Sequence, residues 1–288
     1  MDPLLIQLLI NGVALGSIIA LAAVGLTLTY GILRLANFAH GDFMTLGAYM
    51  TLMLGAAGLP IWLAMIVGAG LTIAVALAIE KIIWQRMRDR HATSTTLIIL
   101  SLGLALFMRN GIILIWGAAN QSYDLPVVTA LTVGGIRIAY YRVIVVGLAL
   151  MAIAVLHLLL QYTKVGKAMR AVADNIDLAR VSGINVERVV LWTWVLSAGL
   201  TALGGSMYGL VTAVRPNMGW FLILPMFASV ILGGIGNPYG AIAGAFVIGI
   251  GQEVSTYWIP SEYKIAIALF LMILVLLFKP QGLFRGTL

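Results

Sequence analysis

The sequence predicts an all-α fold, a polytopic transmembrane helical bundle, and three observations carry that prediction. Of the 288 residues, 62% are hydrophobic and only 9% are charged, with a mean hydropathy of +1.07, where a soluble domain carries about a quarter charged residues. Charge-free runs at 3–33, 43–79, 189–214 and 216–252 each reach the roughly 20 residues that a helix needs to cross the hydrocarbon layer. These runs are apolar on every face, whereas the strands of a membrane barrel alternate apolar and polar residues. The opening residues contain no Lys or Arg and their apolar run continues far beyond a signal core, so Met1 onward reads as mature, spanning protein.

Taken in order, the spans are expected at about 4–30, 43–58, 61–79, 96–116, 141–162, 190–213, 220–233, 240–257 and 265–278. That is nine crossings of one domain, 1–288. Eight remains an open count, because the second span and the pair flanking 233–240 are short enough to be broken or re-entrant. Irregular backbone at membrane depth is allowed only where protein or a water-filled cavity covers it, which would place such segments near a transport pathway. With the N-terminus outside, Arg34, Lys81, Arg86, Arg88, Arg90, Lys164, Lys167, Arg170, Arg180, Arg188, Lys279 and Arg285 are cytoplasmic, as is the C-terminus. Arg137, Arg142, Arg215 and Lys264 are then external, with Arg109 near the outer end of a helix. This distribution obeys the positive-inside rule. The external segment 117–140, polar from Asn120 to Asp124 and punctuated by Pro126 and Gly134–Gly135, reads as an ordered cap and docking surface. No convincing repeat is read; the fragments beginning at His40 and Asn237 share only a loop and a Gly-Ala-aromatic ending.

Several chemistries are excluded. The chain has no Cys, which removes disulfides, thiolate metal sites and cysteine nucleophiles. The net charge of +7 is explained by cytoplasmic loops rather than nucleic acid. No GxxxxGK[ST] phosphate loop occurs, so the chain is not expected to hydrolyse ATP, and no Ser-His-Asp set, paired carboxylates or zinc motif stands at credible spacing. It is expected to be no enzyme, with no catalytic residue, metal or cofactor of its own.

Four places carry polar or conformational signals. Arg34, Asn37, His40, Gly41 and Asp42 lie between two apolar runs, as a cytoplasmic turn or as polar groups lining a cavity; His40 reads as part of a hydrogen-bonded turn rather than a metal ligand. Gly236, Asn237, Pro238 and Gly240 are expected to form a turn or break, while Gly236, Gly240 and Gly244, Gly12 and Gly16, and Gly205 and Gly209 are spaced for close helix approach. Glu253 follows a long charge-free run and is expected either to pair with Lys264 or Arg215 or to reach the interface. The aromatic residues Trp116, Tyr140, Tyr141, Trp192, Trp194, Tyr257 and Trp258 sit at span ends, where belts are expected. The longest charged cytoplasmic stretch, 164–188, spaces Ala168, Val172, Ile176, Ala179 and Val181 so that short helices present an apolar side, with Asp174 and Asp177 near a helix start.

Within that stretch, Asp177, Leu178, Ala179 and Gly183 resemble the EAA loop of ABC importer permeases. The run 12–50 more broadly resembles the permeases of branched-chain amino acid ABC transporters of the LivH type, through Ala20-Leu21, Gly25-Leu26, Tyr30-Gly31, Asn37-Phe38-Ala39-His40-Gly41 and Gly47-Ala48-Tyr49. Leu232 to Gly240, Gly244-Ala245, Arg170-Ala171 and Ser182-Gly183-Ile184 extend the resemblance over nearly the whole chain. It implies an importer permease in a bacterial inner membrane, paired with a second related permease subunit. Two cytoplasmic ATPase subunits would bind and hydrolyse ATP, and a periplasmic binding protein would deliver leucine, isoleucine, valine or similar amino acids; related permeases serve urea or short amides. Arg170, Asp174, Asp177, Ala179 and Gly183 would then form the loop coupled to the ATPases. An ion-coupled secondary transporter is the competing class, which the shortage of intramembrane acidic residues disfavours.

Overall fold

The computed structural model describes residues 2–126, 129–133 and 136–284; Gly134–Gly135 of the external segment and the basic Arg285 fall outside them. Each expected span is a helix. In order these are α1 (Pro3–Leu33), α2 (His40–Ala56) and α3 (Ile61–Ile79), which continues through a π-helical turn (Glu80–Trp84) into α4 (Gln85–Asp89). Then come α5 (Ser94–Trp116), α6 (Tyr140–Tyr162), α7 (Lys164–Asp174), α8 (Ile176–Val181), α9 (Val186–Val211), α10 (Met218–Gly233), α11 (Pro238–Ser255) and α12 (Lys264–Phe278). Among the described residues, six stretches have the length and apolarity of a full crossing: α1, α3 with α4, α5, α6, α9, and α12 with the 3-10 turn Ser261–Tyr263 before it; α2, α10 and α11 are not among them, at 17, 16 and 18 residues. One departure from all-α is a hairpin of β1 (Leu131–Val133) and β2 (Ile136–Ile138) in the external segment, whose sequences are rich in β-branched residues.

The helix ends follow from local chemistry. Asp2 accepts a hydrogen bond from the Leu4 amide and Pro3 occupies the first helical position, both favoured where the first amides lack helical partners. At the other end Arg34 takes a left-handed conformation, φ 52°, and breaks the helix. The chain does not then leave the bundle. Leu35, Asn37 and Ala39 are buried, and His40 at the start of α2 lies 2.8 Å from the Ala22 carbonyl, in the middle of α1. The second span is therefore one short, unbroken helix of 17 residues that starts inside the bundle.

Helices in lipid gain little from apolar burial against one another, so close backbone packing holds them. α1 packs on α11 with Gly12 and Gly16 against Ile250 and Phe246, and with Gly249 against Gly16. Gly240 and Gly244 meet Gly233 and Ser229 of α10. Gly236 is not part of that seam and stands in the turn. Gly205 and Gly209 serve different partners, Met44 and the Tyr123 ring. Trp194 is not a belt residue: it is fully buried, stacked on Trp84 at 6.4 Å and against Phe43 at 6.2 Å.

An internal repeat is present that the sequence alone did not reveal. Exchanging α1, α2, α3 and α5 with α9, α10, α11 and α12 maps packing pairs onto one another: α1 on α11 matches α9 on α3, α2 on α3 matches α10 on α11, and α2 on α5 matches α10 on α12. α1 and α9 run antiparallel, since Gly25 meets Ser197 and Gly204 meets Ile18, so the two halves are inverted. The signature is Gly41, Gly55, Gly58 and Pro60 repeated at identical spacing as Gly219, Gly233, Gly236 and Pro238. Gly58 and Gly236 share left-handed backbones, φ 93° and 88°. The fragments beginning at His40 and Asn237 pair helices that are not counterparts.

Candidate functional site

The inverted halves meet where α2 and α10 begin. Gly41 and Gly219 lie backbone against backbone, each occupying the space that a Cβ on the other would need, and Thr45 Oγ1 accepts a hydrogen bond from the Gly219 amide at 3.1 Å. Beside this crossing, Asp42 is 1% exposed and accepts from Arg109 of α5 at 3.3 and 3.4 Å. The Arg109 guanidinium also lies 4.5 Å from the centre of the Trp220 ring on α10, a favourable placement over the ring's negative face. One cation thus ties α5 to both half-length helices. Arg109 is no helix-end residue, and its pairing with Asp42, far away in sequence, left no local signal.

The other residues of the motif support this centre. His40 Nε2 stands 2.9 Å from Thr201 Oγ1 of α9 as well as near the Ala22 carbonyl, so His40 joins α1, α2 and α9. Asn37 Oδ1 accepts from the Ala39 amide, forming the turn that leads into α2, and Ser101 of α5 accepts from the Phe38 amide at 3.2 Å. Asn37, His40 and Asp42 are buried between helices, so they form neither an exposed cytoplasmic turn nor, in this structure, the lining of the cavities described below. Among the described residues, no three His, Asp or Glu side chains gather as metal ligands.

The α10–α11 turn lies at the opposite end from Asp2. Gly234 and Gly236 adopt φ 108° and 88°, conformations that cost a residue with a Cβ. The Gly236 amide donates to Thr27 Oγ1 of α1 at 2.9 Å. Asn237 caps α11 by accepting from the Tyr239 and Gly240 amides, and its Nδ2 donates to the Phe284 carbonyl at 3.0 Å. Asn237→Ala should therefore cost about 1–2 kcal/mol, read as a lower midpoint of thermal unfolding in detergent; an unchanged midpoint would remove the turn from the stabilising set.

At the same end, α7 and α8 are joined through the single extended residue Asn175. Arg170 donates to the Leu160 carbonyl at 2.6 Å and to Gln161 Oε1 at 2.8 Å, which closes the C-terminus of α6 and fixes α7 to it. Asp174 ends α7 rather than starting a helix, while Asp177 stands in the first turn of α8, behind the Asn175 cap. α8 closes with the Ile184 amide donating to Ala179 and Gly183 at φ 83°. Ala179 is buried, but Ile176, Leu178 and Val181 are exposed by 40%, 63% and 81%. A cavity of about 1010 Å³ opens beside α7 and α8, bordered by Arg34, Glu80, Arg88, Asp174 and Glu187. Glu80 is buried and paired with Arg88; the π-helical turn that places it was not legible in the sequence.

At the Asp2 end, Glu253 pairs with Lys264 at 2.5 Å, as its sequence position suggested. The external segment is anchored there: Gln121 and Val214 exchange backbone hydrogen bonds at 2.9 Å, and Tyr123, one of its nominally polar residues, is buried with its hydroxyl donating to the Ala48 carbonyl at 3.2 Å. Burial pushes this phenol above its ordinary range, so it remains a donor.

Short apolar helices meeting inside the bundle around a buried ion pair, with an apolar-faced helix carried outside the bundle, define a polytopic membrane transport protein. Comparison with known proteins narrows that class. The family described as branched-chain amino acid transport system / permease component matches residues 8–276, and this chain belongs to that family. It is 30% identical to the high-affinity branched-chain amino acid transport system permease protein LivH of Escherichia coli K12, over 96% of this chain and 94% of that one. It is 28% identical to BraD of Pseudomonas aeruginosa, covering 96% and 95%, and 31% identical to a probable LivH of Methanocaldococcus jannaschii, covering 96% and 91%. PsaBC from Streptococcus pneumoniae, solved in complex with a Fab, shares the fold with a TM-score of 0.54 at 14% identity, covering 96% of this chain and 92% of that one.

Proposed function

We propose that this chain is the membrane permease of an ATP-driven importer of branched-chain, hydrophobic amino acids, working by alternating access. Its partners on this reading are a second related permease, two ATPase subunits and a binding protein that delivers substrate from the periplasm. The N-terminus faces outside, and the end carrying α7, α8 and Phe284 faces the cytoplasm of a bacterial inner membrane. The relatives' transport of branched-chain amino acids supports the substrate.

The observation that carries the drive mechanism is α8. Three apolar side chains, Ile176, Leu178 and Val181, are exposed on a short helix within the longest charged stretch of the chain. A rigid helix held at Arg170 and closed at Gly183 can be gripped by a partner and moved as one piece. The acidic side chains Asp42, Glu80 and Glu253 are each paired with a cation, which weighs against ion coupling through them.

Leu178→Asp combined with Val181→Asp should abolish co-purification of the ATPase subunits and cut uptake at least tenfold, with the permease still folded. Retained association would remove α8 from the mechanism. Gly183→Val, which forces a β-branched residue to φ 83°, should uncouple ATP hydrolysis from uptake. Accumulation of substrate by the chain alone in proteoliposomes, under an ion gradient, would overturn the ABC reading.

A further inference from the structure

A second cavity, of about 350 Å³, opens at the Asp2 end between α1, α6, α9, α10, α11 and α12. Its chemistry is divided. Its apolar lining includes Leu222, Pro225 and Ile265. The rim carries two cations and one anion: Arg142, Lys264 and Glu253. Lys264 is satisfied by Glu253 at 2.5 Å. Arg142, by contrast, has no carboxylate within ion-pair distance among the described residues and donates only to the Asn11 carboxamide.

A guanidinium beside an apolar chamber with only a neutral partner is a ready receptor for a carboxylate, because a charged acceptor makes a shorter, roughly twice stronger hydrogen bond than an amide does. An acceptor for an ammonium group is also at hand. Pro225 has no N–H to give to the carbonyl four residues earlier, so the backbone oxygen of Phe221, whose residue lines the same cavity, lacks its usual helical partner. Freed carbonyls of interrupted helices serve this purpose in other transporters.

We infer that this cavity binds a small zwitterion with an aliphatic side chain: the carboxylate on Arg142, the ammonium on the Phe221 carbonyl, and the aliphatic group on Leu222 and Ile265. The inference rests on the proposed import of amino acids and adds to it a receiving site within this subunit. The same chemistry occurs in a zwitterionic phospholipid, whose phosphate and ammonium would take the same partners.

The test uses the full complex in nanodiscs made with and without phosphatidylethanolamine, with radiolabelled L-leucine as the probe. Saturable binding should weaken at least tenfold in Arg142→Gln and in Leu222→Trp, which fills the chamber. L-leucinamide, which has no carboxylate, should fail to compete. If Arg142→Gln does not fold, Leu222→Trp decides the matter alone. Loss of leucine binding in neither variant overturns the site while leaving transport intact. No leucine binding, with phosphatidylethanolamine retained by the native complex and lost from Arg142→Gln, upholds the site with lipid as its occupant; retention of neither overturns it. Absence of leucine uptake by the native complex with its binding protein strikes the transport reading instead, so the two failures are distinct.

Discussion

Arg109→Leu should destabilise the protein by about 3–5 kcal/mol, the cost of leaving a buried carboxylate without its partner. Asp42 is 1% exposed and no second cation takes Arg109's place: among the described residues its one ion pair is with Arg109. The loss should also loosen α5, which packs chiefly on α2 and whose remaining polar ties run from Ser101 to the 36–38 backbone. The double variant Asp42→Leu, Arg109→Met removes both charges and should recover most of that stability, since a buried pair is often replaceable by apolar groups of similar volume. Thermal unfolding of the three proteins in one detergent measures this. A double variant no better than the single one would mean that the charges are not each other's main partners.

Gly219→Ala should cost at least about 3 kcal/mol, the upper part of the range for overpacking. Its Cβ would fall inside the Gly41 carbonyl, and both neighbours are helix backbone that cannot turn aside as a side chain can. The control lies in the same membrane: Gly70 in α3 and Gly103 in α5 have no atom within 4 Å of where a Cβ would stand. Their alanine variants should be neutral or stabilised by up to about 1 kcal/mol, because helix interiors disfavour Gly. Equal effects at Gly219 and Gly103 would show that the crossing of α2 and α10 is not a close contact.

Helix positions were legible because each apolar run is bounded by polar residues or by Gly and Pro; all nine runs are helical, and six stretches among the described residues have the length and apolarity of a full crossing. Glu253 with Lys264 was legible because the two flank one loop. Arg109 with Asp42, and His40 with Thr201, were not, because their partners are brought together only when α5 and α9 dock on α2. The inverted repeat stayed hidden because its halves share glycines and prolines at turns while their apolar residues vary freely. The exposed face of α8 was half visible: the spacing of Ile176, Ala179 and Val181 marked an apolar side, but only the fold shows that Ala179 is buried while Leu178 is exposed.

The meeting of Gly41 with Gly219 places a fulcrum between two arms that are inverted copies of one another. An inverted repeat lets a bundle reach a second shape by exchanging the roles of its halves, with helix contacts of the same kinds. Shapes assembled from interchangeable contacts differ little in free energy. About 5.5 kcal/mol of differential binding suffices to carry a two-state equilibrium from 1:99 to 99:1, so the fold can be poised for a small external input to decide which face is open.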